Sequence, residues 1–507
     1  METIFDIENT LNLLEKINHH AVRLLVKEDT FSVEHVAGRE IDPDLLREIE
    51  ANRASLFHLI KYSGLIQQPE EDILDPRDLS EGLMRHGNEY FYPITPIQGY
   101  WVDAHRDKEY KKVSSAHGNV LIAYEVHGDL DIPAFKKAVF YVIRRHESLR
   151  SAFHFISDKY WMKVDTEPRE CSYEYIDVRE HPEKNWLTEN AGKFHYHTFD
   201  VEKGPLFLLR LIQTEAAKFI ISIKIHHVIF DAVSRDILSR DLLTAYQAAK
   251  EGRDPDLPPL KYQYKEYLSS IIKSNALNYC ASKEHWGKLY NTLPDELIIP
   301  AAKRSFSDFR EKIPGTEEFY YPDDLTLKLK KIAKDHAMSL FVVLQATGKT
   351  FLSSQAGQYD ITIGSFVSGR DFSGCENQIG CYAKTVLVRT TFDAGDTFTE
   401  ALRKVRKSNE DMRNYHGFTL MEAMEELLAP GQSVYGSFWK VNMHYFDMSY
   451  RNAKDQNIDP FDGLGLKFTP LNLEAGFLMN VDLQLHFIHL DGKLSVKIEY
   501  DSSLYDA

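Results

Sequence analysis

Cysteine is scarce in this sequence: Cys171, Cys280, Cys375 and Cys381 are the four among 507 residues, and no two form a C-x-x-C pair. That scatter argues against a disulfide-dense secreted scaffold, supplies no metal framework, and suits the reducing cytoplasm. No apolar run approaches the ~18 residues of a membrane span. The opening METIFDIENT has neither a basic n-region nor an apolar h-region, so no secretory signal is read there. Neither Lys nor Arg dominates any long segment, and the formal charge is -16. A general binder of nucleic acid or of an anionic membrane is therefore disfavoured, and small, neutral or cationic partners fit better. Low-complexity tracts are missing as well.

What remains is the composition of a globular chain, 43% hydrophobic and 27% charged, long enough for more than one folded unit. Residues 1–64 read as a small αββαα unit. Leu11, Leu14 and Ile17 stand at helical spacing, VRLLVKED and TFSVEHV read as short strands, and a helix follows with Asp42 as cap, Pro43 at its first position and Gly64 as its stop. Residues 65–90, polar and with two prolines, read as linker. From FYPITPIQGYW onward helices and strands alternate, which predicts an α/β (α+β) architecture of two lobes, residues 91–268 and 269–507.

The segment KIHHVIFDAVS carries the chemistry. KFIISIKIHH alternates as a strand, with Ile221, Ile223, Ile225 and His227 expected on one face and Lys224 and His226 on the other. SRDILSRDLLTAYQAAKEG then reads as a helix ending at Gly252. Two imidazoles thus stand where a strand gives way to a loop and a helix, a place where side chains converge on a cleft. A neutral imidazole there can take a proton from an attacking amine, whose own pKa of ~8 leaves it largely protonated near neutrality. His227 is the candidate, either as base or as the group that orients the amine or stabilises the tetrahedral intermediate. His226, facing the other way, reads as structural. No nucleophilic Ser or Cys stands in an elbow motif, which favours direct transfer without an acyl-enzyme.

HHVIFDAVS resembles the HHxxxDG signature of the condensation domains of nonribosomal peptide synthetases. Other landmarks follow in the family's order: YPITPIQGYW, RRHESLRSAF, YQYKEYL with KEHWGKL, DITIGSFVSGRD, IGCYAKTVLVR, VYGSFWKVNMHYF and IEYDSSLYD. The resemblance implies two chloramphenicol-acetyltransferase-like lobes in a V, with a tunnel at their junction. It implies an acyltransferase-type enzyme that forms an amide bond between a carrier-bound peptidyl or acyl thioester and an amine. No bound cofactor is implied; the substrates arrive on the phosphopantetheine arms of carrier proteins. Catalytic roles fall on His227, His226 and Asp231, and Asp231 is expected to pair with Arg370 from the other lobe. Ala232, Ser234, Arg150 and Lys384 are expected along the substrate tunnel. Ala232 stands where the family has glycine, and Lys384 where it has asparagine.

Residues 1–64 are similar to the N-terminal docking domains of the tubulysin type. That likeness implies a partner, the C-terminal tail of an upstream synthetase polypeptide, received as an added strand at Lys27, Thr30, Phe31, Ser32, Val33, Glu34 and His35. The other expected partners are a donor carrier protein and an acceptor that is either a free amine or an acceptor carrier. A free amine in a terminal, releasing role is the reading suggested by the absence of a carrier domain after the closing strand. Three alternatives stay open: a coenzyme A-dependent small-molecule acyltransferase of the same HHxxxD fold, a non-catalytic docking or scaffold protein, and an epimerisation domain.

Overall fold

The computed structural model describes residues 13, 17, 22–27, 30–35, 41–53, 56, 84–86, 89–106, 118–156, 159–180, 194, 198–300, 314–370, 374–415, 439–447, 465–471, 481–490 and 492–505. Near the N-terminus β1 (Val22–Lys27) pairs antiparallel with β2 (Thr30–His35), Leu24 opposite Val33. Helix α1 (Pro43–Ala51) follows. Asp42 caps it by accepting the Asp44 N–H at 2.8 Å, Pro43 opens its first turn, and Leu45 and Ile49 are its buried residues. Pro43 fits there because a first-turn N–H has no intrahelical acceptor to lose. Of the residues expected on the preceding helix, Ile17 is helical and buried; Leu11 and Leu14 lie outside the described residues.

The chain divides into two compact units. The first is Met1–Leu277 with Ser368–Ala383 and Pro460–Leu473; the second is Asn278–Val367 with Lys384–Asp459 and Glu474–Ala507. The first contains β3 (Met84–His86), β4 (Glu89–Pro93), α2 (Pro96–Arg106), β5 (Asn119–His127) and α3 (Ile132–Arg145). It continues with β6 (Ser151–Ile156), β7 (Lys159–Val164), β8 (Tyr173–Asp177), β9 (Phe207–Glu215), β10 (Lys218–His226) and α4 (Ala232–Glu251). Helix α5 (Tyr264–Leu289) carries the chain from the first unit into the second. The stretch expected as linker contains β3, paired with β4 in a four-stranded sheet of order β3-β4-β7-β6. A five-stranded sheet runs from Lys467–Pro470 through β5, β10 and β9 to β8.

The second unit contains β11 (Pro314–Tyr320), α6 (Asp323–Asp335), α7 (Leu340–Ala356), β12 (Asp360–Val367), β13 (Lys384–Thr391) and α8 (Phe398–Asn414). After β14 (Val441–Asp447), and β15 (Lys467–Pro470) in the first unit, it closes with β16 (Leu483–Leu490) and β17 (Lys493–Asp501). Its six-stranded sheet has the order β11-β17-β16-β14-β12-β13. One face of that sheet, including Ile361, Ile363, Val441, Met443, Phe487 and Val496, builds a core with Val343, Leu344 and Leu352 of α7 and Leu402 and Val405 of α8. Burying that apolar stripe is what holds the helices on the sheet.

Candidate active site

β10 is the central strand of its sheet, bonded to β5 on one side and β9 on the other. Both of its faces are covered: Ile221, Ile223 and Ile225 are buried, and so are Lys224 and His226. Lys224 Nζ donates to the Phe194 carbonyl at 2.9 Å, and burial brings its pKa down to about 8. The strand ends one residue earlier than its alternation suggests. His226 is the last strand residue, and its Nδ1 accepts the Val228 N–H at 3.1 Å, capping a single 3-10 turn, His227–Ile229. His227 therefore sits on the turn and does not continue the isoleucine face.

Three contacts fix His227. Its backbone N–H donates to the Gly118 carbonyl at 2.7 Å. Its Nδ1 lies 3.3 Å from the Phe230 carbonyl. The Trp101 indole of α2 lies parallel to its ring, with centroids 5.2 Å apart and planes within 10°. A carbonyl can only accept, so Nδ1 carries the proton in the neutral ring and Nε2 keeps its lone pair. Burial holds the imidazole below its ordinary pKa, against the raising effects of the Phe230 carbonyl and of Asp231. The ring is thus neutral near pH 7, and its one basic atom has no protein partner among the described residues. Gly118 has φ +84°, and a Cβ there would stand 2.8 Å from His226 Nε2, so glycine is required for the close approach.

Asp231 faces a different set of partners. It caps α4, its Oδ1 accepting the Ser234 N–H at 2.8 Å and the Ser234 hydroxyl at 2.7 Å. Arg370 Nη2 donates to both carboxylate oxygens at 2.8 and 3.0 Å, and the Tyr382 N–H reaches Oδ2 at 3.2 Å. Arg370 is held in turn by the carbonyls of Cys375 and Gln378 at 2.7 and 2.9 Å, and its guanidinium stacks over the Tyr382 ring at 4.2 Å. Expected as a link between lobes, the pair lies inside the first unit, because Ser368–Ala383 belongs there. No hydrogen bond joins Asp231 to His227, so this is not a triad. Cys381, next to Tyr382, is no nucleophile either, since burial pushes its thiol pKa far up.

The four residues expected along the tunnel fall in different settings. Ser234 is fully buried, and its hydroxyl also contacts Gly380 N and O at 3.1 Å each. Ala232 is exposed at the first position of α4. Arg150 donates to the Asp165 carbonyl and lies 3.6 Å from Glu147. It lines a shallow pocket with Asp165, Arg169 and Gly204. Lys384 begins β13 in the second unit. Of the docking candidates, Lys27 ends β1 and Thr30, Phe31, Ser32, Val33, Glu34 and His35 make up β2.

Sequence reasoning missed several groups around this turn. Gln98, three residues before Trp101 on α2, donates to the Val228 carbonyl at 2.9 Å and ties the turn to that helix. Asp241, fully buried in α4, accepts from Arg145 Nε at 2.8 Å, His146 Nε2 at 2.9 Å and Arg240 Nε at 2.8 Å. Arg145 and His146, at the C-terminal end of α3, are wrapped around this carboxylate. The glutamine and tryptophan of TPIQGYW were visible as part of a motif, but nothing local marked Asp241.

The sequence matches the condensation domain family over residues 88–507. The chain belongs to that family. As a condensation domain it is 26% identical over 392 residues to malpinin synthetase of Mortierella alpina, covering 76% of this chain and 5% of that protein. It is 28% identical over 328 residues to a dimodular nonribosomal peptide synthase of Bacillus subtilis (strain 168), covering 62% of this chain and 13% of that protein. The domain thus spans a small fraction of the curated relatives it matches. Among solved structures, the X-domain in its complex with OxyB from teicoplanin biosynthesis superposes with a TM-score of 0.69 at 18% identity, over 87% of this chain and 92% of that one. The first condensation domain of the calcium-dependent antibiotic synthetase superposes with a TM-score of 0.60 at 17% identity, over 82% and 92%. These neighbours give the condensation domain its fold, the chloramphenicol-acetyltransferase-like one. Condensation domains are acyltransferase-type enzymes that form amide bonds, and no helix among the described residues is long and apolar enough to cross a membrane.

Proposed function

We propose that this condensation domain joins an acyl or peptidyl group, held as a thioester on the phosphopantetheine of an upstream carrier protein, to an amine. The amine nitrogen attacks the thioester carbonyl and an N–C bond forms. His227 Nε2 takes the proton that the nitrogen must lose; the C–S bond then breaks, and the leaving sulfur receives that proton as the thiol. The balance needs no acyl-enzyme and no further reactant. The observation that carries this reading is the Nδ1–H of His227 directed at the Phe230 carbonyl, which leaves Nε2 as an unencumbered base on a ring kept neutral by burial. Asp231, His226 and Arg370 serve by building the turn and the start of α4 around it.

Residues 1–64 fit a docking role. β1 and β2 form a two-stranded sheet by themselves among the described residues, so each strand has an edge with backbone donors and acceptors for an added strand. The acceptor amine is either free or carried on a second phosphopantetheine. The test is single-turnover transfer from a loaded donor carrier, offering a free arylalkyl amine in one reaction and an aminoacyl carrier in the other. His227→Ala should lower amide formation at least ~100-fold with either acceptor while the protein stays folded. A near-normal rate in that variant sinks the proposal. Product that forms equally from acyl-coenzyme A without any carrier assigns the chain to small-molecule acyl transfer instead.

A further inference from the structure

We infer that Trp101 is a positioning residue for the reaction, holding the His227 ring so that Nε2 faces the attacking amine; this rests on the reading of His227 given above. The His227 side chain turns about two bonds, and the Phe230 carbonyl restrains only one ring atom, at 3.3 Å. The second restraint is the indole, parallel to the imidazole at 5.2 Å. A rotation that tilts the imidazole plane would break the parallel contact, and the half-turn that keeps the plane would take Nδ1 off the Phe230 carbonyl.

Trp101 can act this way because it is itself fixed. It is buried at 6% exposure on α2. It also meets His226 edge-on at 6.3 Å and 87°, and Phe199 packs against His226 in turn at 6.1 Å and 84°. Gly118 leaves room for the indole: a Cβ there would lie 3.2 Å from Trp101 Cε3. Three residues before Trp101, and so on the same face of α2, Gln98 grips the Val228 carbonyl at 2.9 Å. One helix therefore holds the turn by its backbone and the imidazole by its plane. Offset parallel stacking is a directional contact, which a branched aliphatic side chain cannot reproduce. Reaction rates respond steeply to such placement, with losses on the order of 10²-fold for errors near 1 Å.

The experiment compares Trp101→Leu, which keeps apolar bulk, with Trp101→Phe, which keeps an aromatic face. Single-turnover rate, donor-carrier half-saturation and the ¹⁵N signals of His227 are read for each. Trp101→Leu should lower the rate about 10-fold or more at unchanged half-saturation. Its His227 nitrogens should move from the pattern of a fixed Nδ1–H tautomer to averaged positions. Trp101→Phe should recover most of the rate and the fixed pattern. Should Trp101→Leu fail to fold, Trp101→Met takes its place in the same comparison. A folded Leu or Met variant within twofold of the parent rate, or one that loses rate while the His227 signals stay put, overturns the inference. Failure of the base reading looks different: His227→Ala would then keep its rate whatever Trp101 does.

Discussion

Arg370 Nη2 stands 2.8 Å from one oxygen of Asp231 and 3.0 Å from the other, with the two side chains 8% and 4% exposed. Two sequence-distant segments, the start of α4 and Ser368–Ala383, are joined by this pair within one compact unit. The Ser234 hydroxyl and the Tyr382 N–H take up the remaining acceptor capacity of the carboxylate. The pair is thus tied to the first turn of α4, four residues after His227.

Removing the carboxylate should therefore unfold before it slows. Breaking a buried pair leaves the partner charge stranded and costs on the order of 3–5 kcal/mol. Asp231→Ala is expected to give low soluble yield and a clearly lowered Tm. Asp231→Asn keeps a cap for the Ser234 N–H and should fall between that variant and the parent. A well-folded Asp231→Ala with an unchanged Tm and no activity would assign Asp231 a direct catalytic part instead.

The pH dependence of the His227 charge follows from the direction of its shift. Burial lowers the pKa of this ring below 6.5, so the basic form persists into mildly acidic solution. NMR titration of His227 should give a midpoint below 6.5, separate from the ~8 at which the acceptor amine itself titrates and limits the rate. A His227 midpoint at or above the ordinary histidine value would show that water reaches the ring freely. In that case the neutral base at pH 7 would lose its physical cause.

The elements with local chemistry were legible in the sequence, and those with distant partners were not. Asp42, Asp131 and Gly252 end or start helices where their types predict, because a cap needs only neighbours a few residues away. The isoleucine alternation located β10, yet its end was set by the His226 side chain bonding two residues ahead, which periodicity does not register. Ser234 was expected to face substrate; helical position alone does not tell whether a hydroxyl points to a tunnel or back to the cap, and here it goes to Asp231 and Gly380. Gln98 meets Val228 across 130 residues and His146 meets Asp241 across 95, separations over which a single sequence carries no pairing signal. Tyr382 is buried beneath Arg370, and Tyr445 stacks on Phe341 at 5.8 Å, both as packing groups.

In the second unit, His444 is buried and lies parallel to Phe366 at 4.2 Å. Burial, helped by the nearby His486, lowers its pKa to about 3. The unfolded chain binds a proton at this residue near pH 6.5, whereas the folded chain does not until about pH 3. Its contribution therefore lowers stability as pH falls through that window, by about 1.4 kcal/mol for each unit below the unfolded value. His444→Phe removes the titration and keeps the stacking surface. Its unfolding free energy should exceed that of the parent by about 2 kcal/mol at pH 5, with a much smaller difference at pH 8. Parallel stability curves for the two proteins between pH 8 and pH 5 would rule this out.

The N-terminal segment makes the sharpest functional division. Among the described residues β2 pairs with β1 along one side only, and neither strand joins either of the larger sheets of the first unit. A free strand edge is a standing template for another extended chain, and proteins ordinarily blunt such edges unless they are used. Backbone hydrogen bonds along Thr30–His35 would supply affinity for an incoming tail, while flanking charges such as Lys27 and Glu34 would select it by sign. Binding should be micromolar and should weaken as salt is raised, since attraction between charges in water is screened beyond about 10 Å at 0.1 M. Deleting residues 1–64 should then abolish transfer from an upstream synthetase polypeptide that delivers its carrier through the tail. Reaction with a small soluble thioester should continue near the parent rate, because that donor reaches His227 without docking. Equal loss with both donors would show that residues 1–64 belong to the catalytic fold, and salt-independent binding of the tail would remove the charged residues from its recognition.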